Sequence, residues 1–104
     1  MEQKKTFEEI AEEIVKLHAE KNTAYGNAFN ESFAKYEQIR PGAGLEYAIG
    51  RMGDKMQRLT NLAFHPTISS GDEPIVDNAK DLAAYAIMLV EVYDEYARTG
   101  YRKR

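Results

Sequence analysis

The sequence predicts an all-α fold: a small helical bundle of three main helices plus a short one, completed by oligomerisation. Three observations carry that reading. Apolar residues recur at intervals of three and four in three separate segments, which is the period of a helix with one buried face. No segment alternates apolar and polar residues as a half-buried strand does. One stretch, "LAAYAIMLV" at residues 82–90, is apolar nearly all round, as a helix covered on two sides must be.

The elements follow in order. Thr6 and Glu9 have the spacing of a reciprocal N-terminal cap, and Phe7, Ile10, Ala11, Ile14, Leu17 and His18 then repeat at helical intervals. A first helix is therefore expected over residues 7–22, ending near "NTAYGN", where Asn22, Gly26 and Asn27 tolerate a turn. Phe29, Phe33 and Tyr36 mark a short helical segment, a lid or packing arm, before the break "RPGAG" at residues 40–44. The second long helix begins near Leu45, buries a stripe of Leu45, Ala48, Ile49, Met52, Met56 and Leu59, and ends near Phe64. Gly50 and Gly53 each cost it about 1 kcal/mol relative to alanine, so close approach of another helix is expected there. After the loop "HPTISSGDEP", Pro74 suits the first turn of a third long helix, with acidic Asp72 and Glu73 at its positive end; it runs to about Ala97.

The 104 residues make a single domain, with the basic tail at 98–104 frayed. There are no cysteines and only two separated histidines, His18 and His65, so no disulfide framework and no Cys/His zinc site is expected. A net charge of -3 and a pI near 5.4 disfavour adhesion to duplex nucleic acid. The N-terminal "MEQKKTFEEIAEE" resembles neither a secretory signal nor a membrane span, which points to a cytoplasmic protein without a membrane partner.

On the second long helix Tyr47, Arg51, Asp54, Arg58 and Asn61 fall in one sector, with Lys55 beside it and nearer the core stripe. Such a face is either solvated and laced by pairs such as Arg51 with Asp54 and Asp54 with Arg58, or it holds a ligand. On the third long helix Asp77 and Asp81 lie one turn apart, and Tyr85 is a turn further on. The helix dipole accounts for Asp77. Asp81 is deeper, beside the apolar stretch, and needs a cationic partner from Arg51, Lys55 or Arg58. If these helices are adjacent and antiparallel, arginines, carboxylates and tyrosines line a pocket suited to phosphate and a ring.

The strings "KNTAYGNAF", "GRMGDKMQRLTNL" and "DEPIVDNAKDLAAYAIM" resemble a phage and prophage all-α family, the nucleotide modification associated domain, family one, over most of residues 20–90. The block R-x-x-D-K-x-x-R-x-x-N-L is its most specific part. The resemblance marks Lys21, Asn22, Tyr25, Gly26, Arg51, Asp54, Lys55, Arg58, Asn61, Asp77, Asp81 and Tyr85, and implies a link to phage nucleotide metabolism. A more distant similarity is to the MazG-type nucleoside triphosphate pyrophosphatases, which hold Mg²⁺ on dense paired carboxylates. Here Asp54, Asp77 and Asp81 are fewer than that chemistry requires, unless Glu9, Glu12, Glu13 or a second subunit contributes.

The expectation is a phage-type binder of a phosphorylated nucleotide or nucleotide-derived signal, holding it away from host defence without a cofactor. Two alternatives stand beside it: a Mg²⁺-dependent pyrophosphatase using Asp54, Asp77 and Asp81, and a structural or interaction module with salt-bridged helices.

Overall fold

The computed structural model describes residues 4–25, 27–65 and 74–99, with residues 23–25 and 97–99 described by their backbone alone. Within them the chain forms four helices, α1 (Phe7–Tyr25), α2 (Ala28–Ile39), α3 (Ala43–Phe64) and α4 (Pro74–Thr99), and no strand. The all-α class is as expected. Gly26, the acidic pair Asp72 and Glu73, and the end of the basic tail lie outside the described residues.

α1 opens as its sequence dictates. The Thr6 backbone N–H donates to Glu9 Oε1 at 2.8 Å, and the Glu9 N–H donates to Thr6 Oγ1 at 3.1 Å, so two otherwise unpaired donors are satisfied reciprocally. The helix runs three residues beyond residue 22, through Tyr25.

The junction between α2 and α3 is built on Glu37. Gly42, the residue before α3, has φ +92°, a left-handed conformation open to glycine at no steric cost. The first turn of α3 has no cap from its own N-terminal residue. Glu37 of α2 supplies one, accepting from the Gly42 N–H at 2.8 Å and the Gly44 N–H at 2.9 Å, while the Tyr96 hydroxyl of α4 donates to it at 2.7 Å. Burial raises the Glu37 carboxyl, but these donors and nearby Arg40 outweigh it and hold the group below its ordinary value. One carboxylate thus ties α2, α3 and α4 together.

The core sits where those three helices meet: Phe29 and Phe33 from α2, Ala48 from α3, Val92 and Tyr96 from α4, with Tyr47, Tyr85, Met88, Leu89 and Tyr93 packed around them. Phe29 and Phe33 make α2 a packing arm. α3 and α4 are antiparallel neighbours, since Arg51 reaches Tyr85 and Lys55 reaches Asp81, one pair advancing as the other retreats. α1 packs chiefly on α4. Its Glu13 meets Lys80 at 2.7 Å and its Lys21 meets Asp81 at 3.1 Å, so eight residues of α1 answer to one step along α4 and the helix lies across it.

Two expectations about α3 fail within the single chain. Ile49 and Met56, assigned to the buried stripe, are 54% and 51% exposed. A side chain added at Gly50 or Gly53 would meet nothing within 4 Å among the described residues, so none of the four helices packs closely on them. The buried stripe is narrower than its period suggests: α2 and α4 cover the side of α3 marked by Ala48, which is fully buried.

Candidate functional site

A cleft of about 430 Å³ opens between α1 on one side and α2, α3 and α4 on the other. That volume is within the range of about 300–1,000 Å³ usual for small-molecule sites. Lys21 and Asn22 come from the end of α1, Tyr47, Arg51 and Lys55 from successive turns of α3, and Asp81 and Tyr85 from successive turns of α4. The i, i+4 spacing explains why they share one wall, because side chains four apart stand one above the other on a helix.

Asp81 is the hub. Its Oδ1 accepts from Lys21 Nζ at 3.1 Å and its Oδ2 pairs with Lys55 Nζ at 3.2 Å, so each oxygen holds one ammonium. Burial raises its carboxyl, and the two lysines outweigh that and keep it below the usual aspartate value. Lys55 is the most enclosed of the cations, its side chain 13% exposed. Its place beside the core stripe turns it into the cleft, where Lys21, an unforeseen partner, shares the carboxylate.

Arg51 Nη2 donates to Tyr85 Oη at 2.8 Å, and its guanidinium carbon lies 5.4 Å from that ring's centroid. The hydrogen bond with Tyr85 raises the guanidinium pKa further, against partial burial, so the charge is permanent. Tyr85 and Tyr47 both pack on Phe29, at 5.7 and 5.8 Å between centroids, and the outer face of Tyr47 stacks on Tyr36 at 5.3 Å. The rings are therefore held before any ligand arrives. With three cations and one carboxylate, the lining carries a net charge of about +2.

Asp54, Arg58, Asn61 and Asp77, also marked in the sequence, are not among the described residues that line this cleft. Asp54 is exposed on α3 with its carboxylate 4.0 Å from Arg51, and Arg58 is exposed two turns beyond Arg51. Asn61 accepts from Gln57 at 3.1 Å on the same outer surface. Asp77 is exposed in the first turn of α4, one turn before Asp81. The side chain of Tyr25 lies outside the described residues. Among the described residues no three His, Cys, Asp or Glu side chains gather as a metal would require, and both Asp81 oxygens already face ammonium groups.

The rest of the lining is Ile14, Leu17 and His18 of α1, Ala28 and Phe29 of α2, and Ala84 and Met88 of α4. Apart from His18, these side chains are apolar. Except for Ala28, their signal in the sequence was the helical period itself, which assigned them to packing. Periodicity cannot separate a residue that fills a core from one that lines a cavity in it.

No helix of the described residues is long and apolar enough to cross a membrane. Comparison with family models, with curated proteins and with solved structures finds no match to this chain.

Proposed function

We propose that this chain binds a phosphorylated nucleotide or nucleotide-derived signal and holds it unchanged, in the cytoplasm, as the resemblance to the phage nucleotide modification associated domain implies. In a phage the role is to sequester a host defence signal, and the chain acts as a homo-oligomer. The observation that carries the reading is the convergence of Lys21, Arg51 and Lys55, from two helices, on one cleft floored by apolar and aromatic side chains. The cations suit phosphate, and the tyrosine rings and apolar side chains beside them suit a base.

Cationic lining also favours holding over metal-assisted hydrolysis. A pyrophosphatase of the MazG type first needs negative charge to retain Mg²⁺, whereas here Asp54 is exposed and Asp81 is neutralised by two lysines.

The test is mass spectrometry of what heat releases from the purified protein, followed by calorimetry with that compound. The expected ligand carries phosphate, binds equally in EDTA, loses affinity in Arg51→Ala, and is recovered intact. Pyrophosphate release that needs Mg²⁺ and disappears in Asp77→Asn and Asp81→Asn promotes the hydrolase instead. A protein that retains nothing and binds no member of a nucleotide panel is a structural module.

A further inference from the structure

The charges of the cleft are unevenly arranged, and the unevenness limits how much phosphate it can take. Asp81 stands between two ammonium groups, its Oδ1 at 3.1 Å from Lys21 Nζ and its Oδ2 at 3.2 Å from Lys55 Nζ. Two oxygens on one central atom, each facing one ammonium, make the contacts that a phosphate would make in the same place. Burial raises the Asp81 carboxyl, but the two lysines outweigh it, so the group is ionised at neutral pH. The seat between the lysines is therefore already filled by an anion of the chain itself.

Arg51 is the cation left over. It lies one turn before Lys55 on α3, about 6 Å along the helix axis. A guanidinium carries several N–H donors, and the bond to Tyr85 Oη at 2.8 Å uses one of them and aims the rest. A phosphate seated there brings about −1.5 to −2 of charge near neutral pH when it is terminal, against about +2 on the lining. A second phosphate joined to the first has two courses. Inward it meets Asp81, and outward it leaves the cleft, where the Asp54 carboxylate stands 4.0 Å from Arg51 Nη1.

Resting on the ligand reading given above, we propose that the cleft takes a nucleotide with a single phosphate group, seated on Arg51, and that Asp81 turns away di- and triphosphates by filling the second seat. Selectivity of this kind comes from a repulsive element set against the wrong ligand, with no extra contact to the right one.

Calorimetry on the full chain at fixed ionic strength, with the mono-, di- and triphosphates of adenosine, guanosine, cytidine and thymidine, reads the selectivity directly. In the wild type the monophosphate of the preferred base should bind at least as tightly as its triphosphate. In Asp81→Asn, which keeps the shape and removes the charge, the order should reverse, with the triphosphate ahead by about tenfold or more as the like-charge penalty is lifted. A uniform change in all three affinities, the mark of a merely structural aspartate, overturns the proposal. So does a wild-type affinity that climbs with each added phosphate, a result that needs no variant and holds even where Asp81→Asn folds poorly. The compound that heat releases from the purified protein is the independent check, and one phosphate group is expected on it. Two or more phosphates on that compound overturn this inference and leave the ligand reading standing, whereas no released compound and no binding by any member of the panel removes both.

Discussion

Arg51 and Tyr85 face each other across α3 and α4 with the guanidinium both hydrogen-bonded to the phenol oxygen, at 2.8 Å, and set 5.4 Å from the ring centroid. The tyrosine thus fixes the direction of the one cleft cation capable of bidentate contact with phosphate. Tyr85→Phe keeps the ring against Phe29 and frees the arginine. Stability should fall by about 1 kcal/mol or less, whereas affinity for the released ligand should fall about tenfold as preorganisation is lost. Parallel melting and calorimetric titration separate the two effects. Equal affinity in Tyr85→Phe and wild type would mean that Arg51 is not aimed by this bond.

Asp81→Asn should move stability and anion binding in opposite directions. Losing the carboxylate leaves Lys21 and Lys55 facing each other without a counter-charge. For a pair between the exposed and buried extremes the cost is about 1–2 kcal/mol, or a melting temperature lower by roughly 5–15 °C in a domain of this size. The same change raises the net charge of the cleft from about +2 to about +3, so inorganic pyrophosphate should bind more tightly to the variant at low salt. Weaker anion binding in the variant would show that Asp81 assists the ligand instead of occupying its place.

Two glycines of α3 should respond with opposite signs to the same substitution. A methyl group at Gly44 would stand 2.6 Å from the Phe33 carbonyl oxygen and 2.9 Å from Glu37 Oε1. Gly44→Ala is therefore expected to destabilise by about 1–3 kcal/mol. Gly50→Ala meets open space and should stabilise by up to about 1 kcal/mol through helix propensity. Urea midpoints measure both. Destabilisation by Gly50→Ala would reveal a second chain packed on this side of α3.

Acid should unfold the protein through its tied carboxylates. Glu37 and Asp81 are held below their ordinary values, and Glu13, hydrogen-bonded by Lys5 and Lys80, is lowered to about 2. A depressed carboxyl stabilises fully above its unfolded value, about 4.3 for glutamate and 3.9 for aspartate, and loses that contribution as pH falls through the folded value. Unfolding midpoints should be flat from neutrality to about pH 5 and decline below it. Glu37→Gln should lower the midpoint at neutral pH, and its difference from wild type should shrink as the medium is acidified. A constant difference down to strongly acid pH would remove the Glu37 charge from the account.

Much of this was legible in the residues because helical order is local. Thr6 and Glu9 announce the cap they form, and Arg51, Lys55, Asp81 and Tyr85 announce a shared wall because four-residue steps align on any helix. What the pattern did not contain was the relation between distant helices. Lys21 reaches Asp81 across sixty residues, a distance fixed by the crossing of α1 over α4. Arg58 and Asn61 share the helical sector of Arg51 yet are exposed, which the spacing alone did not separate. Nor did it contain the exposure of Ile49 and Met56, since an apolar stripe states that something should cover it and not whether that cover is cis or trans.

The crossing of α1 also shapes how the protein breathes. α2, α3 and α4 share one aromatic cluster and the Glu37 knot, while α1 packs more sparsely, chiefly on α4, with Ile14 buried and with ion pairs from Glu13 and Lys21. Segments held by so few interactions open far more often than the whole molecule unfolds. Amide protons of α1 should thus exchange with solvent well ahead of those in α3 and α4. Because that helix forms one wall of the charged cleft, the cleft should widen each time α1 lets go.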